Sequence, residues 1–499
     1  MIKSIPNKKE LSNILFYMGI LVTVISIVAS QTMTHMSYDY FYMIPTGKYI
    51  VENGFIRDNI FNVNDMGIVV QQWLYCVYLY FISGFGKAGI IISSVFMFML
   101  IIAVSYNILL QREFKNQEAF LIIVLSFVFS GSGGYLSEIR PEAVTVVLIL
   151  IEIYCIERYI KTCKPLWIYF LPIIMLLEVN LHGSMWIMHY IALLPYVFPN
   201  VLNNVFKSCE FTEKHVKHMI LSVFFMTLCM FINPYGYEMV VYTLNSFLSG
   251  TFNYVSIKEM TAPSIASMLG CYIMLIIIGT VILICKSKIK SVSFYAIAGY
   301  VFMAVLAYRN MYFLYFAVFY FSMEFFIALR GKEIDIDITK DAKLWHISVI
   351  YLLAIGFVIF DVFLYNQTDN FMYKNMPEKI ISYLDENTEK DDVIYTGFNS
   401  GNYFEYAGYT NVYMDARPEL YMKKVNGNVD VLPEYVKYGI YGYFDGYISD
   451  DEYQKYLDTY EFHYFVIDIE LRLRDYLEQD DNYKLILEDN GFYLYEKIN

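Results

Sequence analysis

A chain of 499 residues with 57% hydrophobic side chains, 17% charged ones and a mean hydropathy of +0.43 is not an ordinary soluble globular protein. Its net charge of −13 is concentrated: residues 366–499 hold 27 acidic and 12 basic side chains, whereas the first 365 hold 22 and 24. So acidic a tail argues against nucleic acid as a partner and fits a solvated domain kept away from anionic headgroups.

Long apolar runs predict helices near residues 12–30, 88–110, 117–133, 141–157, 165–179, 185–202, 218–233, 264–285, 292–308, 310–329 and 344–365. The first follows Lys3, Lys8 and Lys9 and reads as a retained signal anchor, because ten more follow it. The expected fold is an all-α polytopic membrane protein of about eleven transmembrane helices, residues 1–365, with interfacial helices in its first outer loop. A C-terminal soluble α/β domain, residues 366–499, completes it. The tail's strands are expected at DVIYTG, NVYMDA, HYFVIDI and FYLYEK, and its helices at EYQKYLDTY and LRLRDYLEQ. Its many tyrosines are expected in the core and strands rather than at a sugar site. All seven cysteines lie between Cys76 and Cys285, so the tail has no disulfides.

Orientation follows the loops. With the amino terminus in the cytosol, eighteen of the 24 basic residues in the first 365 fall on inner segments. These include Arg112, Lys115, Arg158, Lys161, Lys164 and Arg330. The outer loops keep only Lys48, Arg57, Lys87, Arg140, Lys258 and Arg309. GIVVQQWLYCVYLYFISGFG, residues 67–86, is apolar enough to cross, but a crossing there would invert every later loop. It is therefore read as lying along or dipping into the outer interface, with a true crossing as the alternative. The protein is accordingly expected in the cell membrane, with its tail extracytoplasmic.

That arrangement puts the unusual polar groups on one side. The first outer loop, about residues 31–87, opens with THMSYDYFYMIPTGKYIVENG, which alternates aromatic and polar residues as an interfacial helix would. Asp39 stands at the exit of the first span, as a general base or as a helix cap. Arg140 precedes Pro141 at a helix start, where an Arg opposes the dipole and needs a partner such as Glu138, Glu142 or an anion. Arg309 sits in a short loop between two spans, shaped to hold a phosphate or an ion-pair partner, and His182 lies in the NLHG turn. Glu152, Glu178, His189, Glu324 and Asp361 are expected to form interhelical hydrogen bonds. The sequence contains no outer DxD, Walker loop, GxGxxG or GxSxG; EIDIDITKD falls on an inner loop.

One pattern spans residues 35–425. An Asp follows span one; then come Asp58 to Phe61 as D-x-x-F, QWL at 72–74, RPE at 140–142, NLHGS at 180–184, NPYG at 233–236, an outer Glu, and an Arg by a late span. This order resembles the GT-C membrane glycosyltransferases, in particular uncharacterised bacterial members related to the protein mannosyltransferases and the lipid A aminoarabinose transferases. SGNYFEYAGYTNVYMDARPELY, residues 400–421, is similar to the segment with D-x-R that follows the last span in that group.

The resemblance implies transfer of a sugar from a polyprenyl-phosphate donor to a glycan, lipid or protein acceptor on the extracytoplasmic face, among membrane lipids, without nucleic acid. It maps acceptor activation onto Asp39 and catalytic help onto Glu259. Candidate substrate-binding residues are Asp58, Trp73, Glu138, Arg140, Asn180, His182, Asn233, Tyr235, Lys258 and Arg309. No metal ligand and no cofactor is expected, a divalent ion staying open. Where relatives carry Glu-Trp this chain has Gln72 and Trp73, so position 72 is not an acid. A flippase or transporter of lipid-linked glycans would show broken helices and repeated halves, and no internal repeat is found. A non-catalytic envelope assembly protein is the remaining alternative.

Overall fold

The computed structural model describes residues 8–34, 37, 39–201, 213–248, 262–264, 266, 268–284, 289, 291–332, 344–367, 375–389, 392–441 and 448–498. In chain order the helices of the body are α1 (Lys8–Thr34), α2 (Asp39–Asn53), α3 (Trp73–Ser83), α4 (Gly86–Gln111), α5 (Asn116–Ser130) and α6 (Ser132–Ser137). They continue as α7 (Glu142–Thr162), α8 (Pro165–Ile168), α9 (Leu171–Leu181), α10 (Trp186–Val201), α11 (Glu213–Cys229) and α12 (Tyr237–Leu248). The last are α13 (Leu269–Ile284), α14 (Ser291–Leu306), α15 (Leu314–Arg330) and α16 (Leu344–Gln367). Each of the eleven apolar segments overlaps one or more of them.

Among the described residues four helices are long and apolar enough to cross a membrane: Leu11–Thr34, Gly86–Gln111, Tyr308–Arg330 and Ser348–Asn366. Their surroundings differ. The apolar window in Tyr308–Arg330 is 89% buried, against 17% in Leu11–Thr34 and 6% in Ser348–Asn366. α1 and α16 pair at the periphery, where a Cβ on Gly19 would stand 2.7 Å from Ile350 Cγ2 and the Ser30 hydroxyl donates to Asp361. Interhelical polar contacts of this kind recur inside, as where Ser293 Oγ donates to Glu324 Oε1 at 2.6 Å.

Residues 67–86 contain only the eleven-residue α3 before α4 begins. At 1.5 Å per residue α3 is about 16 Å long, half of a hydrocarbon core. It lies against α2 so closely that a Cβ on Gly47 would meet the Cys76 carbonyl oxygen at 2.1 Å. The α2 helix is less interfacial than its sequence suggests. Tyr40, Phe41, Tyr42, Met43, Ile44, Thr46, Gly47 and Ile50 are buried, because the tail covers the face that membrane or water would otherwise meet.

The tail has helices α17 (Glu378–Asn387), α18 (Gly401–Ala407), α19 (Lys423–Asn426), α20 (Val431–Glu434), α21 (Asp450–Tyr460) and α22 (Leu471–Gln479). Its strands are β1 (Val393–Thr396), β2 (Phe462–Ile467), β3 (Tyr483–Asp489) and β4 (Phe492–Lys497), in the order β1-β2-β4-β3. The β1–β2 pair is parallel; β2–β4 and β3–β4 are antiparallel. β3 and β4 form a hairpin whose Asn490 and Gly491 have φ of 50° and 83°, the left-handed pair that a two-residue turn requires.

Two expectations need correcting here. NVYMDA is not a strand of this sheet; only Val412 makes isolated bridges, to Ile394 and Asn62, because the chain there is shared between the sheet and the first long loop. YKLILED, unremarked in the sequence, is β3. Tyr395, Tyr403, Tyr413, Tyr421, Tyr435 and Tyr453 are fully buried, as core residues should be. The loop and the tail share one apolar core. Val63 N donates to Val412 O at 2.9 Å, Asn62 Nδ2 to the Tyr421 hydroxyl at 2.8 Å, and Asn64 Nδ2 to Tyr413 O at 2.7 Å.

Contacts divide the body into two ends. Near the last turn of α7, Lys161 Nζ lies 2.8 Å from Glu113 Oε1, Arg112 pairs with Glu157, and Arg330 pairs with Glu118. Near its first turn lie Asp39, Arg140, His182, Arg309 and the tail.

Candidate active site

The site is assembled from segment ends. Asp39 is the first residue of α2, where a carboxylate complements the helix dipole, and its backbone N–H donates to Ser37 Oγ at 3.3 Å. Arg140 precedes Pro141, whose φ of −66° sets up α7. The guanidinium is 8% exposed and held on several sides. Nε donates to Ser37 Oγ at 2.8 Å, Nη1 donates to the Tyr135 hydroxyl at 2.7 Å, and Glu138 Oε2 lies 3.1 Å from Nε. Nη2 is 3.8 Å from Asp39 Oδ2. Arg140 therefore finds the acidic partner that its place at a helix start demands, in Glu138, and in addition orients Asp39.

The NLHG turn has a steric explanation. His182 ends α9 with φ −150° and ψ 62°, and Gly183 N donates to Gln71 O at 2.8 Å. A Cβ on Gly183 would stand 2.9 Å from that oxygen and 2.7 Å from Met239 Sδ, so only glycine lets the turn approach the strand-like segment before α3. The His182 ring then lines a cavity together with Asp39, Tyr42, Gln72, Glu142, Tyr242, Arg309, Arg417 and Glu419.

Other candidates hold loops together instead. Trp73 Nε1 donates to Asn180 Oδ1 at 2.9 Å, and Asn180 Nδ2 donates to Leu176 O and Ile232 O, joining α3, α9 and the turn before α12. Asn233 closes its own turn, accepting from Tyr235 N and donating to Met230 O. The Tyr235 hydroxyl donates to Ile56 O at 2.9 Å. Asp58 is exposed and its backbone bridges Gly67. None of these five lines the cavity. Lys258 and Glu259 lie outside the described residues, as does EIDIDITKD.

Arg417, Tyr42 and Gln72 line the cavity without an assigned role in the sequence. Arg417, from the DAR of the tail, has its guanidinium 4.9 Å from the Tyr42 ring centroid. Asp415 and Glu405 hold it, Nε donating to Asp415 Oδ1 at 2.9 Å and Nη2 to Glu405 Oε1 at 3.0 Å. Burial works against the Asp415 carboxylate, but the charge and hydrogen bonds of Arg417 outweigh it and hold its pKa below the usual value. Burial, and then the Asp415 charge, push Glu405 well above its usual range. Gln72 Nε2 donates to the Tyr42 hydroxyl at 2.7 Å, and burial followed by the Asp39 charge keeps that phenol protonated. Glu142 Oε2 is buried with no hydrogen-bond partner among the described residues.

No cluster of His, Cys, Asp and Glu among the described residues has metal-holding geometry. What the cavity offers is a carboxylate oriented by an arginine, two further guanidinium groups, a neutral-capable imidazole and amide and phenol groups, a set suited to an anion beside a hydroxyl.

No protein-family model matches the chain, and no curated protein sequence does. A solved structure does match: ArnT from Cupriavidus metallidurans, crystallised bound to undecaprenyl phosphate, superposes with a TM-score of 0.52 at 11% identity, covering 97% of each chain. Likeness at that identity speaks for architecture, and its coverage takes in both the apolar helices and the small C-terminal sheet. The chain shares the overall fold of ArnT along nearly its whole length.

Proposed function

We propose that this protein is a membrane glycosyltransferase that moves a sugar from a polyprenyl-phosphate donor to an acceptor hydroxyl on the extracytoplasmic face. The observation that carries this reading is the meeting of Asp39 with Arg309 and Arg417 on one cavity at the end of an apolar helix bundle. A fold shared with a protein that was crystallised with undecaprenyl phosphate supports it.

An apolar groove of about 910 Å³ adds to the case. α1 lines it from Tyr17 to Gln31, about 21 Å along the helix, with Phe98, Phe120 and Phe127 opposite, and it reaches Ser137, next to Glu138. A polyprenyl tail in that groove puts its phosphate near the site. The basic loops gather at the other end, which the positive-inside rule assigns to the cytosol. The division near residue 365 then leaves the tail outside, as a wall of the pocket.

In the reaction the acceptor oxygen attacks the anomeric carbon while Asp39 takes its proton. The bond from that carbon to the phosphate oxygen breaks, and the phosphate leaves with the electron pair. Arg309 and Arg417 stabilise the charge it gains, and Arg140 positions Asp39. Phosphate departs readily, so no second carboxylic acid is needed on the leaving side, and a single displacement inverts the anomeric centre. Gln72 and Glu142 offer hydrogen bonds to sugar hydroxyls.

Asp39→Asn tests the assignment in lipid nanodiscs supplied with polyprenyl-phosphate sugars and candidate acceptors. Release of polyprenyl phosphate should fall by about a hundredfold or more, with the thermal midpoint unchanged. Wild-type turnover in that variant removes Asp39 from the mechanism; no release by the wild type from any donor removes the reading itself.

A further inference from the structure

Behind the cavity wall a line of polar side chains runs into the helix bundle. His182 Nδ1 lies 2.7 Å from Thr145 Oγ1, and the same hydroxyl lies 2.7 Å from Glu178 Oε1. Glu178 Oε2 stands 3.1 Å from His189 Nε2, at ion-pair distance but not aligned as a hydrogen bond. His189 Nδ1 is 2.5 Å from Glu152 Oε2. Thr145, Glu152, Glu178 and His189 are wholly buried, on α7, α9 and α10. Interhelical hydrogen bonds explain why such groups are tolerated, but not why the line begins at the cavity.

Counting protons gives it a direction. Thr145 has one hydroxyl hydrogen and two close partners. The Thr145 hydroxyl donates to Glu178 Oε1, so it accepts from His182 Nδ1–H. The neutral ring then has its lone pair on Nε2, the nitrogen left to the cavity. Glu142 and Thr145 from α7, Glu178 from α9 and Arg309 from the turn Tyr308–Phe313 surround that ring. Burial first lowers its pKa, the charges of Glu142 and Glu178 oppose this, and Arg309 adds to the lowering, with a net fall below the usual value. His182 is thus neutral and able to accept at neutral pH.

Resting on the transferase reading above, we propose that His182 is the second proton acceptor of the site and that Thr145 relays its Nδ1 proton to Glu178, beside His189 and Glu152. The chemistry calls for such an exit. A phosphodiester donor carries one negative charge and the departing monoester ionises again near pH 6, so each turnover at neutral pH frees about one proton. That proton passes from the hydroxyl to Asp39 and on to His182 Nε2. The Nδ1–H bond then breaks as a new O–H bond forms on Thr145, whose original hydrogen moves to Glu178 Oε1. Only bonds to hydrogen change, and after product release the same steps in reverse return the proton to water.

The full chain in nanodiscs, with a polyprenyl-phosphate sugar as donor, tests the relay. Thr145→Val keeps the shape of the side chain and removes its hydroxyl. It should lower kcat about tenfold to a hundredfold with the KM for donor unchanged, and Thr145→Ser should restore the rate. Glu178→Gln should follow Thr145→Val. Nitrogen NMR of histidine-labelled protein should find the Nδ1–H tautomer of His182 in the wild type and lose it in Thr145→Val. Wild-type kcat in Thr145→Val while Asp39→Asn is inactive overturns the relay and leaves the transferase reading standing; so does an Nε2–H tautomer in the wild type. A wild type that releases no polyprenyl phosphate overturns both. Should Thr145→Val fail to fold, Thr145→Ser and the wild-type tautomer decide the matter.

Discussion

Arg112 and Arg140 stand near opposite ends of α7 and are treated differently by similar neighbours. Arg112 closes on Glu157 with Nε 2.9 and 3.0 Å from the two carboxylate oxygens, and its guanidinium lies 5.2 Å from the Tyr320 ring centroid. The Tyr196 hydroxyl donates to the same carboxylate at 2.7 Å. Arg140 likewise has an aromatic ring, a hydroxyl and acids around it, yet Asp39 stays 3.8 Å away and lines a cavity. Glu157 is only 10% exposed in its side chain and Asp39 is 24%. A carboxylate clasped by both oxygens and away from the cavity has little left for a substrate, whereas Asp39 faces the cavity. Distance and access, rather than residue type, separate the two pairs.

The contrast can be broken at three strengths. Arg112→Met leaves Glu157 without its partner in a sealed setting and should cost about 3–5 kcal/mol of stability, read as a fall in thermal midpoint in detergent. Transfer per folded molecule should not change; a slower enzyme of undiminished stability would reverse the roles given to the two arginines. Arg140→Lys keeps the charge but cannot reach Ser37, Glu138 and Tyr135 together, so transfer should fall about tenfold to a hundredfold while the thermal midpoint stays near that of the wild type. Equal losses of stability in both variants would erase the distinction. The smallest effect belongs to Ser37→Ala. It removes a hydroxyl shared by Arg140 and the Asp39 amide, and about 1 kcal/mol, or roughly fivefold in transfer rate, should go with it. A rate equal to wild type would show that Asp39 needs no such support.

The helical body was legible because apolar runs and their punctuation are local. Pro141 marked the start of α7 and Gly183 the break after α9, each for a steric reason acting within its own segment or against one close neighbour. Asp39, Arg140, His182 and Arg309 stood out as charged or titratable groups at the ends of apolar spans, and the structure gathers them at one end of the bundle. Asn180, Asn233, Trp73 and Tyr235 carried the same kind of signal but hold loops together. A sequence gives an asparagine that closes a turn and one that holds a ligand the same appearance. Arg417 went unassigned because its cavity partners Asp39 and Tyr42 are hundreds of residues away in the chain. β3 is different: what marks it is the Asn490–Gly491 turn that joins it to β4.

The strand order has a consequence in time. β4 comes last along the chain, yet it lies inside the sheet, between β2 and β3. Rings from that strand support the layer that carries Arg417, as where Phe492 meets Tyr403 at 6.0 Å, and Tyr403 in turn meets Phe41 at 4.6 Å. A ribosome therefore delivers the acid, its arginine and the histidine turn long before the layer that completes their enclosure. The cavity lined by Asp39, His182 and Arg417 is enclosed only once the final hairpin has joined the sheet.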